Sequence, residues 1–597
     1  CDAPIRTGLS ASETPDPGVS TLAGNILAGL DPDQRAAAEI VDGPLLIVAG
    51  PGTGKTRTLT HRIAHLVAER GATPESCLAV TFSRRAAAEM EERLAALLPA
   101  SSGRVLVATF HGLGLTMLRE QAGPELRVAT PVERTEIARE MFNLSPSKAE
   151  RLLEEIGRVR CRRAVDPELE VPLELAGRTA VYEQALVRRG LLDFDDLLLR
   201  PLALLRDRPD LAAAYRQRFR WISIDEYQDV DPLQYALIRL LAPPDANLCA
   251  IGDPDQSIYG FRGAVVGFFL RFREDWPGAR VVHLGRNYRS SRTVVEAAMD
   301  AIRPASLMPD RRLVAVREGA GERIVIQAAA GERAEAELVV HTLERLLGGT
   351  SAFSFDSGRV DAGDTEDGLS FDDVAILYRT DAQAPPLIEA LGRAGIPFQK
   401  RSHRPLAEQP GVRALLPILQ EQTEGSVEAR LERAVLDSSR DLAAPDRTAL
   451  LAAAELLRPL ALRSGNDLDA FLAEAALGEE VDTWDPRAER VSLLTLHAAK
   501  GLEWAVVFLV GCEEGLLPLT WPDTDPADLA EERRLFFVGI TRARSRLFLF
   551  HSRKRTIRGE TRETRPSPFL ADLEEALLER RQEPDLGPRR PEQMRLL

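Results

Sequence analysis

The sequence predicts an α/β protein with two parallel-sheet cores, each interrupted by a helical insertion. Two observations lead to this fold class. Short, continuously apolar segments recur in two sets along the 597 residues, a pattern typical of strands buried on both faces of a parallel sheet. Strand patterns vanish in two stretches, 121–204 and 403–487, where charged helical patterns dominate. The length predicts roughly three to five domains.

The first core is predicted to begin at residues 45–58, LLIVAGPGTGKTRT, which join an apolar strand to a glycine-rich loop and a helix. Such a loop points successive backbone N–H groups at a phosphate. Ala49 stands where the strict pattern has glycine, so the segment matches only the looser pattern that accepts Ala or Gly at this position. The alternative is a flexible turn before an ordinary helix. The chain has only five lysines and otherwise uses arginine, so a lysine at position 55 favours a site that needs a compact ammonium group. The predicted phosphate-binding residues are Gly50, Gly52, Thr53, Gly54, Lys55 and Thr56.

The remaining elements follow in chain order. Residues 1–28 are rich in Ser, Thr, Pro and Gly and are predicted to form a linker or tail, as are residues 576–597 at the other end. Further strands of the first core are expected at 78–82, 105–109, 221–224, 248–251 and 281–284. Strands of the second core are expected at 323–327, 374–378, 491–495, 506–510 and 547–550. The first core thus takes 29–120 with 205–290, and the second takes 291–402 with 488–575.

Two polar segments follow predicted strands of the first core. Asp225 and Glu226 form an acidic pair, in which the first carboxylate suits Mg²⁺ and the second can activate a water. Gln256 lies in GDPDQSIYGFRG and can bond a γ-phosphate or orient water. Tyr259, Phe261 and Arg262 in the same segment suit the stacking of bases, with a role as core aromatics as the alternative.

The composition narrows the class of protein. A net charge of −15 argues against a uniformly basic surface for nucleic acid, but not against a local groove such as one lined by the arginine clusters at 158–163 and 553–558. No apolar run is long enough to span a membrane, and the cysteines lack metal or disulfide spacing, so a reduced, cytoplasmic protein is expected. Because the first residue is Cys1 and not Met, we expect this chain to be part of a longer one with a domain before it. A lipid-modified terminus is the alternative.

The ordered set of motifs resembles the UvrD, Rep and PcrA group of superfamily 1A helicases over residues 30 to 575. The resemblance rests on AGPGTGKT, AVTFSRRAAAEM, TFHGLG, DEYQDV, GDPDQSIYGFRGA, LGRNYRSS, VSLLTLHAAKGLEW and EERRLFFVGITRAR. It implies two RecA-like cores that use ATP and Mg²⁺. It also implies ATP-dependent 3′→5′ movement on single-stranded DNA and at junctions with duplex, in DNA repair or replication restart, in a nucleoid-associated protein.

The resemblance also implies further site residues. Gln34 reads the adenine edge, Tyr288 stacks on the adenine, Arg57 lies near the phosphates and Glu503 holds the ribose. Arg289 and Arg542 are offered to the γ-phosphate from across the cleft. The residues implied to line the single-strand path are Thr81, Phe82, Phe110, His111, Tyr259, Phe261, Arg262 and His497.

One departure from the family pattern concerns the second helical insertion. Residues 403–487 span roughly half the length expected from larger members, and they lack a match to the segment that contacts duplex DNA. A translocase that displaces proteins without processive unwinding is therefore a second interpretation. The motor part of a larger helicase–nuclease and a binding module with an inactive ATPase are further alternatives. The protein partners are not indicated by the sequence.

Overall fold

The computed structural model describes residues 26–581, apart from 102, 124–125, 318, 320, 349–367, 403, 423, 440–443, 485–487, 521–524 and 558. The predicted tail beyond 581 lies outside the described residues. So do almost all of the predicted N-terminal linker and of an acidic, glycine-rich loop expected at 354–368. Among the helices that the model describes, none is both long and apolar enough to cross a membrane.

The first sheet has six parallel strands in the order β3–β2–β4–β5–β1–β6. Strands β1 and β2 are buried at every position because helices cover both faces, and this explains why their sequences show no alternation of apolar and polar residues. The strands are β1 (Leu45–Ala49), β2 (Cys77–Thr81), β3 (Leu106–Thr109), β4 (Trp221–Ile224), β5 (Asn247–Gly252) and β6 (Arg280–Leu284).

The second sheet has seven parallel strands in the order β9–β10–β8–β11–β12–β7–β13. Like the first, it has a hydrophobic cluster on each face. The strands are β7 (Ile324–Ala329), β8 (Val374–Tyr378), β9 (Phe398–Arg401), β10 (Val491–Thr495), β11 (Trp504–Leu509), β12 (Ala543–Ser552) and β13 (Leu578–Arg581). A short hairpin of Lys554–Ile557 and Glu560–Glu563 follows β12.

Helices connect the strands and form both insertions. In the first core they are α1 (Pro32–Glu39), α2 (Lys55–Ala68), α3 (Arg84–Leu97), α4 (Phe110–Ala122), α9 (Pro209–Arg218) and α10 (Pro232–Leu241), with α5 (Pro131–Phe142), α6 (Pro146–Val165), α7 (Leu173–Arg188) and α8 (Asp196–Asp207) inserted between α4 and α9. In the second core they are α11 (Arg292–Ile302), α12 (Glu332–Leu346), α13 (Ala384–Arg393) and α18 (Pro526–Ile540), with α14 (Pro410–Glu421), α15 (Val427–Ser439), α16 (Ala444–Ser464) and α17 (Leu468–Leu477) inserted between β9 and β10.

The predicted fold class, two α/β cores with helical insertions, is confirmed. Every predicted strand lies within the observed bounds or within two residues of them. Of the strands in the two large sheets, two were not predicted, β9 and β13, and both lie at edges of the second sheet. Their sequences, FQKR and LERR, carry charge because an edge strand is partly exposed to water. The predicted C-terminal tail at 576 therefore starts too early, since β13 still pairs with β7.

Candidate functional site

The glycine-rich loop joins β1 to α2 in a conformation that glycine alone adopts easily. Gly52 and Gly54 have φ angles of 67° and 78°. A Cβ on Gly52 would lie 2.7 Å from Asn287 Nδ2, so the loop also passes too close to its neighbour for any side chain. Thr53 Oγ1 closes the loop by donating to Gly50 O at 2.8 Å. The first N–H groups of α2 begin at this loop and can bind an anion there.

The acidic pair follows β4 at the carboxyl edge of the same sheet. Lys55 Nζ lies 3.7 Å from Glu226 Oε1, which joins the loop to the pair. Glu226 has a φ of 51°, a strained conformation for a residue with a side chain, and such strain is common at active sites. Burial and the adjacent Glu226 raise the pKa of Asp225 to about 7. Burial, the largest single influence, also opposes ionisation of Glu226, but Lys55, Lys500 and the hydrogen bond from Gln228 together lower that pKa to about 2.

Asp225 and Thr56 line the same cavity, and each is adjacent in the chain to a member of the Lys55–Glu226 ion pair. A carboxylate and a hydroxyl are the oxygen ligands that Mg²⁺ prefers, and it usually binds through one or two such groups together with nucleotide phosphates. The pKa of Asp225 is raised by burial and by Glu226 although Lys55 opposes the shift, so a further cation beside this carboxylate would favour its charged form. The residues present therefore fit a magnesium ion.

Two arginines lie where the two cores meet, Arg289 in the first core and Arg542 in the second. Arg289 follows β6, forms an ion pair with Glu503 and donates from NH1 to Thr541 O at 3.2 Å. Arg542 is only 1% exposed, and its guanidinium donates to Val538 O, Leu502 O and Thr541 Oγ1. Burial and the nearby Arg289 lower its pKa to about 9, so it remains charged at neutral pH.

The predicted nucleotide-base residues lie at the rim of the loop. Gln34 Nε2 donates to Thr53 O at 2.9 Å, so this amide holds the loop. The Tyr288 side chain is 42% exposed, and its hydroxyl donates to Asp31 Oδ2 at 2.6 Å. Arg57 donates to Gly29 O at 2.7 Å, while Glu503 pairs with Arg289 and Arg544. Their roles toward adenine, ribose and phosphate stay predictions.

Gln256 and its neighbours connect the site to the second core through residues that the sequence analysis missed. Lys500 forms an ion pair with buried Asp229, donates to Gln256 O at 2.6 Å and lies 5.0 Å from the ring centre of Tyr259. Gln256 Nε2 in turn donates to Asp253 Oδ2 at 2.7 Å. The scarcity of lysine that drew attention to Lys55 applied equally to Lys500.

A cavity of about 1330 Å³ runs from the acidic pair to an aromatic surface. Thr56, Asp225 and Glu226 line one part of it, while Phe261 and Arg262 line another. The first and second helical insertions also contribute to its walls. Of the residues predicted to contact single-stranded DNA, all but His497 line this cavity: Thr81, Phe82, Phe110, His111, Tyr259, Phe261 and Arg262.

These predicted DNA contacts differ strongly in exposure. Phe261 is 68% exposed and packs edge-on against His497, with ring centres 5.2 Å apart. Tyr259 is 3% exposed and stacks on Phe82 at 4.9 Å. Phe110 is 5% exposed and belongs to the hydrophobic core of the first domain, so little of its ring is available to a ligand.

Arg262 and His111 have protein partners in the same cavity. Arg262 forms an ion pair with Glu479 of the segment that follows α17. His111 stacks on Phe194 with ring centres 4.2 Å apart, and burial lowers its pKa to about 4, so it is neutral at pH 7. The free stacking face is thus that of Phe261, with Arg262 beside it.

The chain matches known proteins along most of its length. A model of the UvrD/REP helicase N-terminal domain matches residues 30–277, and one of the UvrD-like helicase C-terminal domain matches 282–450 and 450–554. The ATP-dependent DNA helicase PcrA of Leuconostoc citreum is 31% identical over 92% of this chain and 85% of its own length. PcrA of Bacillus subtilis (strain 168) is 29% identical over 94% and 87%. By these matches, the chain belongs to the UvrD/Rep family of helicases.

Proposed function

We propose that this protein is an ATP-hydrolysing DNA helicase or translocase that moves 3′→5′ along single-stranded DNA and acts at its junctions with duplex. The observation that carries the proposal is the continuous cavity. It places the acidic pair beside the glycine-rich loop at one part and exposed Phe261 with Arg262 at another. Membership of the UvrD/Rep family supports ATP as the nucleotide that is hydrolysed and DNA as the polymer along which the protein moves. The direction, and a role in repair or replication restart near the nucleoid, rest on the resemblance.

The proposed chemistry follows from the charges around the loop. The loop amides and Lys55 bind the outer phosphates, and Glu226 takes a proton from the attacking water. A magnesium ion held by Thr56 and Asp225 would neutralise charge on the β- and γ-phosphates. Gln256 orients the water or the γ-phosphate in this arrangement.

Arg289 and Arg542 stabilise the negative charge that develops on the γ-phosphate. Arg542 precedes β12 of the second sheet, whereas Lys55 follows β1 of the first. Hydrolysis therefore depends on how the two cores are held together. Because Lys500 of the second core binds Asp229 and Gln256 of the first, the cores already meet beside the acidic pair. Reopening of the cleft between the two cores after hydrolysis would move one core along the DNA strand.

A second candidate function, displacement of proteins without processive unwinding, is favoured by the short second insertion. In the described part of this insertion, the α-helices are the four from α14 to α17. It contacts the first core at the cavity through Arg262–Glu479 and through Arg84 NH1, which donates to Glu474 O at 2.8 Å. A small insertion has few phosphate contacts with which to grip a duplex.

The two candidates are separated by single-turnover unwinding of duplexes of increasing length, measured beside translocation on single strands and displacement of a bound protein. We expect translocation and displacement, with unwinding that falls steeply as the duplex lengthens. Efficient unwinding of long duplexes by the monomer would show that the short insertion suffices, and would exclude the second candidate. Absence of ATP-driven translocation would contradict the proposed function.

Replacing Phe261 with alanine tests the aromatic surface. Because its ring is the exposed stacking face, Phe261→Ala should weaken single-strand binding by about 1–3 kcal/mol without creating a base preference. Fluorescence titration with oligonucleotides of different sequence measures both quantities. Leu270→Ala is the matched control, since Leu270 is 50% exposed but lies outside the cavity lining. Unchanged affinity in Phe261→Ala would remove this residue from the DNA path.

A further inference from the structure

Helix α18 of the second core lies along the loop of the first core that carries Gln256 and Phe261. Glu531 Oε1 accepts a hydrogen bond from Gly260 N at 3.0 Å. Arg534 Nε donates to Ser257 O at 2.8 Å. The two side chains are three residues apart, so they share one face of the helix.

The residues between these two contacts are embedded in the second core. Ile258 and Tyr259 are 0% and 3% exposed and belong to the same hydrophobic cluster as Leu535 and Val538 of α18. This segment of the first core therefore moves with α18, unless buried apolar contacts are broken.

The far end of the same helix face holds the arginines proposed for the γ-phosphate. Arg542 Nε donates to Val538 O at 2.9 Å, and Arg289 NH1 donates to Thr541 O. At a rise of about 1.5 Å per residue, Thr541 lies about 15 Å along the axis from Glu531. A rigid helix of this length links the two positions mechanically.

The near end of the helix holds the turn that bears the exposed stacking face. Gly260–Arg262 form a single helical turn that carries Phe261 and Arg262. The approach at its first residue is close, since a Cβ on Gly260 would lie 2.3 Å from Glu531 Oε2. The carboxylate of Glu531 thus fixes the backbone from which both DNA-facing side chains project.

We propose that Glu531 is a positioning residue that ties the turn bearing Phe261 and Arg262 to α18, so that single-stranded DNA bound at the turn sets the position of Arg542. The inference rests on the proposed function and adds the physical link between its DNA site and its ATP site. Glu531 touches neither ligand, so its loss should affect the coupling of the two sites and not the sites themselves.

The test compares Glu531→Ala, Glu531→Gln and the exposed neighbour variant Asp528→Ala with wild type. Basal ATP turnover, turnover with saturating oligodeoxythymidine, the KM for ATP and the affinity for the oligonucleotide are measured for each. In Glu531→Ala we expect basal turnover and KM within twofold of wild type. DNA-stimulated kcat should fall about tenfold, as for loss of one hydrogen bond to a charged group. Glu531→Gln keeps an acceptor oxygen and should recover most of the stimulation, and Asp528→Ala should keep all of it.

A second pair of variants keeps the test decisive if Glu531→Ala folds poorly. Gly260 has no positive φ, so alanine fits its backbone, but the new Cβ must displace the Glu531 carboxylate. Gly260→Ala should therefore lose stimulation as Glu531→Ala does, and the double variant should lose no more than either single one.

Four results would overturn the inference: stimulation near wild type in Glu531→Ala, parallel loss of basal and stimulated turnover, a Gln variant as impaired as the Ala variant, or losses that multiply in the double variant. A wild type without DNA stimulation would instead contradict the proposed function, and the inference with it.

Discussion

Glu226→Gln should abolish steady-state ATP turnover, with a loss of at least about a hundredfold, while the protein still folds and binds nucleotide. The amide keeps the shape and hydrogen-bonding capacity of the side chain but cannot accept the proton of the attacking water, and general-base catalysis contributes about 10²–10⁴-fold. A polar change at the edge of a site should alter stability by less than about 0.5 kcal/mol. Turnover is measured by phosphate release, stability by thermal unfolding and nucleotide binding by a fluorescent ATP analogue.

Lys55→Ala should be equally inactive but should also bind ATP more weakly, because Lys55 is proposed to contact phosphates in the ground state as well as in the transition state. Glu92→Gln is the control for a general effect of charge, since Glu92 is an exposed carboxylate of α3 outside the cavity lining. Turnover near wild type in either Glu226→Gln or Lys55→Ala would contradict the assignment of this loop and acidic pair as the ATP site.

Arg542→Ala should lower DNA-stimulated kcat by about a thousandfold and change nucleotide affinity far less. An arginine that stabilises the transition-state charge in phosphoryl transfer contributes about 10³–10⁵ to kcat. Its distance from the loop depends on how the cores are held, so its contribution should be made in the transition state and not in nucleotide binding. Steady-state turnover and equilibrium binding of a fluorescent nucleotide measure the two effects separately.

Controls are needed because Arg542 also has a structural role. Its guanidinium bonds two backbone carbonyls in the interior, so its removal leaves Val538 O and Leu502 O unpaired. Arg542→Lys keeps the positive charge and most of the volume. Its unfolding temperature should therefore be closer to the wild-type value than the unfolding temperature of Arg542→Ala is. Arg544→Ala removes a neighbouring, 45% exposed arginine that pairs with Glu503, and it should retain most of the turnover. Equal losses of kcat and nucleotide affinity in Arg542→Lys would argue against the proposed role.

The parts of the site formed by neighbouring residues could be predicted from the sequence. The glycine-rich loop is one continuous segment whose φ angles require glycine, and Asp225 and Glu226 are adjacent at the end of a buried strand. Such local patterns carry their geometry with them. The fold class followed for the same reason, because a strand covered on both faces must be continuously apolar.

Contacts between the cores could not be predicted in this way. Lys500 lies 271 positions from Asp229 in the chain, and their ion pair exists only because the second core docks on the first. Exposure could not be predicted either. Phe110 and His111 are adjacent at the start of α4, yet the Phe110 ring belongs to the hydrophobic core while the His111 ring stacks on Phe194 in the cavity lining. The charged edge strands were missed because their sequences resemble loops.

We propose that single-stranded DNA, held at Phe261, controls how the second core presents Arg542 to ATP at Lys55. Steady-state ATP turnover by the wild-type protein, measured as an oligodeoxythymidine is titrated in, tests it most directly. We expect slow turnover without DNA and a rise of at least about tenfold that saturates with the same midpoint as DNA binding, the size expected for a coupling of about 1.4 kcal/mol or more. Turnover that stays flat across a titration in which DNA binding saturates would contradict the claim.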